Sequence, residues 1–488
     1  MQQLFGAESV SIAFMIIALE LLTHRIVIDS YLIGVTMIKP SMFILASCAL
    51  LTVVSTARAA APDRANDIFP FPVTKTVLDN GLTILTVPYD SPGLVAYYTV
   101  VRAGSRNEIE AGHSGFAHFF EHIMFRGTTK YPADKYNDIL KQLGADSNAF
   151  TTDDWTCYHI VASADALETL ADIESDRFMN LKYSEEAFKT EAGAILGEYN
   201  KNFSSPFQSM FETLQNVAYT THTYKHTTMG FLADIKDMPN QYDYSLKFFD
   251  RFYRPENCTV IVVGDVKNEN VVTIVKKYYS AWKKGSYQIT VPLEPSQNDE
   301  KSVQMPWKNK TLPYLLLGYH IPAFSDSDPE RVALDLLSQL VFSESSPLYQ
   351  SLVIKQQLVE FVSGGADDHR DPFLFTVITR IKDAKNIDAV RDEIYSALEG
   401  AKTVPVDAKK LQEIKSHIKY AFAMQLNNPD NVAVTVASYI ALTGNYESMN
   451  KVYSQYDKVT PDDIVRAAKK YFTKENRTVV VLQHEESK

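Results

Sequence analysis

Along the chain, short runs that are apolar throughout, or that alternate apolar with polar, are separated by stretches in which apolar residues return every third or fourth position. The first kind fits strands and the second amphipathic helices. Residues 74–87 read as a hairpin turning at Asp79-Asn80-Gly81, and 94–102 as a strand apolar enough to lie inside a sheet. Gly112 and Gly115 then lead into a helix over 118–125 that ends at Arg126-Gly127. A second helix over 134–143 stops at Gly144, 148–162 alternates as one strand, and 165–178 returns to helical period. Ser184 caps a helix running to about Asn202, with Glu185 and Glu186 in its first turn, where carboxylates favour the helix dipole. Helices over 242–252 and 269–282 flank a strand over 258–263.

Residues 288–301 hold Pro292, Pro295, Ser296, Gln297, Asn298 and Asp299, the composition of a linker. The expected domains are therefore 60–287 and 302–488. After the linker the pattern restarts: strand 315–320, helix 329–342, strand 373–381, helices 389–400 and 408–427, and a final strand 478–482. Two landmarks recur at nearly one offset. Phe252-Tyr253-Arg254-Pro255-Glu256-Asn257 precedes a strand and is echoed before the final strand by Tyr471-Phe472-Thr473-Lys474-Glu475-Asn476. Almost the same displacement carries Phe125-Arg126-Gly127-Thr128 onto Phe342-Ser343-Glu344-Ser345. This is the mark of a tandem duplication, and the expected class is α+β with two homologous halves.

Length and charge narrow the picture. At 488 residues the chain exceeds one ordinary core, and its 45% apolar, 22% charged and 11% aromatic residues are those of a globular protein. A net charge of −11 without a long basic run argues against nucleic acid and anionic membrane as partners. Residues 1–59 read as an N-terminal extension and signal peptide: Lys39, an apolar stretch over 42–54, then Ala57-Arg58-Ala59, with cleavage expected after Ala59. That predicts a periplasmic or secreted protein with no stable membrane span in the mature chain. The apolar stretch 12–22 contains Glu20 and is short for a span, so translation from Met37 is the simpler reading. A lipoprotein anchored at Cys48 is disfavoured because the residues after it stay apolar.

The candidate chemistry lies at His118-Phe119-Phe120-Glu121-His122. On a helix His118 and His122 share a face, near enough for both imidazoles to reach one metal ion, and Glu121 flanks them. This is the zinc-protease helix in inverted order, HxxEH. A catalytic zinc keeps three protein ligands and an open position, so one more donor is needed. Glu191 and Glu198 lie two turns apart on one helical stripe, and both are candidates. The duplication offset carries His118, Glu121 and His122 onto Asp335, Ser338 and Gln339, so the second half has no such helix and one site per chain is expected.

The stretch GFAHFFEHIMFRGT, from Gly115 to Thr128, resembles the opening motif of the M16 metallopeptidases, the group of pitrilysin, insulin-degrading enzyme and mitochondrial processing peptidase. In that family a ligand Glu follows HxxEH at a characteristic interval, with another Glu two helical turns before it. Glu198 stands at that interval after His122, and Glu191 takes the earlier position. The resemblance spans about residues 70–487. It implies two α/β-sandwich domains of processing-peptidase type, one Zn2+ held by His118, His122 and Glu198, Glu121 as the base, and Glu191 supporting the ligands from behind. Asn148-Ala149-Phe150-Thr151 resembles the family's NAxT strand, whose edge pairs with the backbone of a peptide substrate.

One departure matters. Many relatives carry an Arg and a Tyr in the second domain, in an LRE-KGLAY-like stretch, that bind substrate and stabilise the oxyanion. The corresponding residues 346–362 read SPLYQSLVIKQQLVEFV, without Arg and with Tyr349 too early. The resemblance then implies a zinc endopeptidase that is the catalytic member of a pair, with a second M16-like chain supplying Arg and Tyr, or else a homodimer. The competing reading is a non-catalytic M16-like scaffold subunit. His113, His159, His222 and His226 have no spacing that recruits them, and Phe203, Phe207 and Phe211 read as packing. Cys157 and Cys258 read as buried thiols, with a disulfide open if the chain is exported.

Overall fold

The structure is a computed structural model and describes residues 67–485. The expected signal segment 1–59, the apolar stretch 12–22 and Cys48 lie outside the described residues. Among the described residues no helix is long and apolar enough to cross a membrane.

In the first half, strands β1 (Thr74–Val77), β2 (Thr83–Pro88), β3 (Leu94–Val101), β4 (Asp146–Thr151), β5 (Thr156–Ser163) and β6 (Cys258–Gly264) form one sheet in the order β1-β2-β6-β3-β5-β4. Its helices are α1 (Phe116–Ile123), α2 (Ala133–Gln142), α3 (Leu167–Asn180), α4 (Glu185–Asn202), α5 (Pro206–Ala218), α6 (Leu232–Asp237), α7 (Tyr242–Phe252) and α8 (Asn268–Tyr279). In the second half, β7 (Lys301–Trp307), β8 (Tyr314–Ile321), β9 (Val359–Ala366), β10 (Phe373–Ile381) and β11 (Arg477–His484) form a sheet in the order β7-β11-β8-β10-β9. The helices there are α9 (Pro329–Phe342), the single turn α10 (Pro347–Tyr349), α11 (Ile387–Thr403), α12 (Ala408–Gln425), α13 (Pro429–Thr443), α14 (Ser448–Lys458) and α15 (Pro461–Tyr471).

The duplication is visible strand by strand. β2-β6-β3-β5-β4 and β7-β11-β8-β10-β9 are one topology, in which the β2–β6 and β11–β7 pairs are parallel and the other pairs antiparallel. The first sheet adds β1 as an extra edge.

Side chains alternate across a strand, so each sheet has two faces to cover. Val95, Tyr97 and Val101 of β3 pack on helices of their own half, while Ala96, Tyr98 and Val100 face Val432, Val436 and Ile440 of α13 from the other half. The second sheet is treated reciprocally. Leu315, Leu317 and Tyr319 pack on α9 and its neighbours, and Leu316, Val480 and Leu482 are covered by Met210, Leu214 and Ala218 of α5 from the first half. At Gly318 a Cβ would stand 3.0 Å from Leu214 Cδ1, so glycine there admits α5 close to the sheet. The continuous apolar runs of β3, β6 and β8 follow from burial on both faces.

Several expectations change. The alternating stretch 148–162 is not one strand but a hairpin, β4 and β5, with Thr152, Asp153, Asp154 and Trp155 between them; Thr152 N bonds Trp155 O at 2.8 Å. The alternation runs through the turn and masks it, although Asp153-Asp154 is turn chemistry. Helices α5, α13, α14 and α15 are additions to the pattern read from the chain. α13 (PDNVAVTVASYIALT) buries one side on the first sheet, and its other side is half-buried with only Asn431, Thr435 and Ser438 as a polar stripe, so its period is faint. Cys157 and Cys258 are free and buried. They pair with Val100 and Val101 on opposite sides of β3, two strand spacings apart and beyond the reach of a disulfide.

Candidate metal centre

Helix α1 is eight residues long, too short to stand by its own propensity, and tertiary contacts fix it at both faces and at its start. Gly115 precedes it at φ 91°, where a side chain is strained, and a Cβ would meet Ile235 Cδ1. Buried Glu108 accepts from Gly115 N and Ala117 N, both at 2.7 Å, satisfying two donors that the helix leaves open. Burial pushes the Glu108 carboxyl up to about 8, against the pull of these two N–H groups. Phe116, Phe119, Phe120 and Ile123 fill the core, with Phe120 stacked 5.1 Å from Phe248. The other face carries His118 and His122, ring centroids 4.8 Å apart.

Helix α4 passes this face. Ser184 caps it, accepting from Ala187 N at 3.1 Å, and Phe188, Ala192, Ile195 and Tyr199 anchor it. That leaves Glu191 and Glu198 turned toward α1. Glu198 Oε2 stands 3.7 Å from His118 Nε2 and 3.4 Å from His122 Nε2. Glu191 Oε1 lies 3.0 Å from His122 Nδ1, and its Oε2 accepts from Arg126 Nε at 2.6 Å. In the neutral ring, the form that binds a metal, this contact keeps the proton of His122 on Nδ1 and leaves the lone pair on Nε2. Burial opposes charge on His122, but Glu191 and Glu198 carry its pKa up to about 9. Burial also pushes His118 below the ordinary range, and its Nδ1 has no hydrogen-bond partner. The His122 imidazole beside it lowers the Glu198 carboxyl; burial would raise that of Glu191, and the bonds to His122 and Arg126 lower it.

Glu121 points from α1 toward β4, where Thr151 Oγ1 donates to its Oε2 at 2.7 Å. β4 is the outermost strand, so one of its edges has no strand beside it among the described residues. Asn148 is exposed on it and Ala149 buried. The structure therefore brings together His118, Glu121, His122, Glu191 and Glu198, with Asn148 and Ala149 on the neighbouring edge. Sequence reasoning misses Thr151 as a partner of Glu121, and misses Glu108 and Arg126. Only Thr151 has a signal, its place in the NAFT stretch.

The donors fit a small divalent ion. Potential donor atoms of His118, Glu121 and His122 all lie within 4.8 Å of one another. The gaps from Glu198 to the two imidazole nitrogens, 3.7 and 3.4 Å, are long for hydrogen bonds. They match the edge of about 3.4 Å expected between tetrahedral ligands at roughly 2.1 Å from zinc. Two imidazoles and a carboxylate are also one of the donor sets used by catalytic zinc.

The second half holds no equivalent among the described residues. Asp335, where the duplication places His118, pairs with buried Arg331 and accepts from Tyr456 Oη at 2.8 Å. Arg331 also reaches Asp368 at 2.7 Å, so a guanidinium takes up the carboxylate charge. Ser338 donates to Gly364 O at 2.5 Å. Residues 346–362 form α10, a π-helical turn Gln350–Lys355 and the start of β9, with exposed Gln357 at φ 54°. Two of the other histidines have structural places: His113 stacks on Tyr244 at 3.8 Å, and His159 on Tyr98 at 5.0 Å. Phe203 stacks on Tyr199, and Phe211 packs against the second sheet.

Comparison with known proteins agrees with this architecture. The family model "Insulinase (Peptidase family M16)" matches residues 92–231, and "Peptidase M16 inactive domain" matches 241–418. A "Zinc protease PqqE" of Helicobacter pylori is 30% identical over 412 residues, 83% of this chain and 91% of the relative. "Mitochondrial-processing peptidase subunit beta" of Saccharomyces cerevisiae is 23% identical over 81% of this chain and 87% of its own length. The crystal structure of a protease from Helicobacter pylori superposes with a TM-score of 0.79 at 29% identity, covering 85% of this chain and 99% of that one. The class is that of two-domain peptidases with a duplicated α/β-sandwich. The chain belongs to the M16 peptidase family, in the short bacterial form.

Proposed function

We propose that this protein is a zinc-dependent endopeptidase acting on peptides or small unfolded proteins. His118, His122 and Glu198 would hold one zinc per chain, and Glu191 sets the orientation of His122. Zinc bound there supplies Lewis acidity to the scissile carbonyl and lowers the pKa of water toward neutrality. Glu121, beside the ligands but turned to Thr151, takes the proton of the attacking water and returns it to the leaving amine. An extended peptide laid along β4 presents its backbone to the strand's open edge at Asn148 and Ala149, which favours breadth over side-chain selectivity. The observation that carries the reading is that both imidazole Nε2 atoms lie within 3.7 Å of Glu198 Oε2, beside a carboxylate facing an open strand edge. Hydrolysis of unstructured peptides that chelator abolishes and zinc restores is the test. Glu121→Gln should retain zinc and lose hydrolysis; a fully active Glu121→Gln protein refutes the role of the base.

The lack of Arg in residues 346–362 favours a further reading, that this is the catalytic member of a pair of M16-like chains. Purified chain should then cleave slowly until a second M16-like chain, supplying Arg and Tyr, is added. Full activity of the chain by itself would reject the pairing. Export is part of the same proposal: the leader over 37–59 would place the enzyme in the periplasm or medium, and N-terminal sequencing of the mature protein should begin at Ala60.

A further inference from the structure

Thr151 is the last residue of β4, and the turn that follows it is held from both halves of the molecule. From the first half, Ser105 Oγ donates to Asp153 Oδ1 at 2.9 Å, Arg106 N donates to Asp153 O at 2.7 Å, and Tyr224 Oη donates to Asp154 Oδ1 at 2.7 Å. From the second half comes loop 367–372, between β9 and β10. His369 Nε2 meets Asp153 Oδ2 at 3.1 Å, and Arg370 N donates to Asp154 Oδ2 at 3.0 Å. Asp371 accepts from Arg106 Nε at 2.6 Å and meets His222 Nε2 at 2.8 Å. The clasp is largely buried: Asp154 is 2% exposed and His369 9%, with the His369 ring stacked 3.5 Å from Phe373.

Its consequence reaches the carboxylate of Glu121. Asp153 is two positions from Thr151, and so short a stretch of paired strand and turn transmits position rather than absorbing it. Thr151 is placed with its hydroxyl 2.7 Å from Glu121 Oε2, while its other close hydroxyl neighbour, Thr156, is 3.5 Å away. A hydrogen bond to one oxygen of a carboxylate selects a rotamer and leaves the second oxygen to face the reaction.

We propose that loop 367–372 of the zinc-free half is a positioning element for the base: by clasping Asp153 and Asp154 it fixes the β4–β5 turn, and through it Thr151, which orients Glu121. The second half thereby contributes to the chemistry without touching substrate. This rests on the peptidase reading above.

The test compares full-length wild type with Thr151→Val, Thr151→Ser, His369→Ala and the His369→Ala/Thr151→Val double variant. Zinc content, thermal midpoint, kcat and KM are measured on a mixture of internally quenched, unstructured peptides, with the partner chain present if one is required. Thr151→Val should lose roughly 10- to 100-fold in kcat, the scale of a hydrogen bond to a charged group, with zinc content and KM little changed. Thr151→Ser should recover most of it, which a merely structural role would not require. His369→Ala should lower kcat about tenfold, and the double variant should be little worse than Thr151→Val alone, because both act through Glu121. If His369→Ala does not fold, Asp153→Asn takes its place. Active wild type with an equally active Thr151→Val, or a His369→Ala that loses thermal stability while keeping kcat, overturns the inference alone. Wild type without chelator-sensitive hydrolysis overturns the peptidase reading and the inference with it.

Discussion

Glu191 shows how a residue can govern a site without occupying it. One of its oxygens holds His122 Nδ1 and the other holds Arg126, so removing the charge releases the ring while leaving His118, His122 and Glu198 in place. Partners of this kind are worth about 10- to 100-fold in metal affinity. Glu191→Gln should therefore weaken zinc binding by about that factor in a chelator competition, with the folded state intact by circular dichroism, whereas His118→Ala should remove stoichiometric zinc altogether. Arg126 is half of the same arrangement, so Arg126→Ala should act in the same direction and more weakly.

Helix α1 is the element on which everything else depends, and its eight residues are held largely from outside. Its apolar face supplies Phe116, Phe119, Phe120 and Ile123 to the core, and its open amide groups are met by Glu108 rather than by a residue of its own cap. Replacing Glu108 by Ala leaves two buried N–H groups without partners, a loss of roughly 2–4 kcal/mol in unfolding free energy. Urea denaturation of Glu108→Ala should show that loss, and Glu108→Gln, which keeps an acceptor for one of the two, should lose less. Zinc affinity should fall with stability, since α1 provides both imidazoles.

At the scale of the molecule, each half lends a helix to the outer face of the other's sheet: α13 on β3 and β6, α5 on β8 and β11. Neither sheet is covered by its own half alone, so the two halves should unfold together. Leu214→Ala should cost about 2–5 kcal/mol as a buried Leu, and the thermal transition should remain single. The clasp between the halves also gives stability a pH signature. Burial works against charge on His369, but the Asp153 carboxylate outweighs it and carries the pKa up to about 9 from the ordinary 6.5; Asp154 and Asp367 face the same ring and act in the same sense. A group raised on folding contributes its full stabilisation below about 6.5 and loses it as pH rises through about 9. Wild type should thus lose thermal stability over that window more steeply than His369→Gln, measured by calorimetry across the range.

The sequence by itself determined the parts of this protein that rest on local periodicity and fixed spacing. HxxEH places two imidazoles on one helical face whatever surrounds it, and the interval to Glu198 named the family. Helices with a polar side, such as Tyr242–Phe252 and Pro329–Phe342, were legible to the residue, as was the repeat that leaves Asp335 where His118 stands in the first half. What only the tertiary structure decided depends on groups far apart in sequence. The choice between Glu191 and Glu198 at the histidines was open from the residues alone, because both lie on one stripe of α4; distance separates them, one at Nδ1 of His122 and the other near Nε2 of both rings. α13 was hard to read because its outer side is itself half-buried and mostly small or apolar, which leaves only a faint period. The clasp of His369 on Asp153 joins groups from opposite halves of the chain, and no local rule of propensity or spacing connects residues that only packing brings into contact.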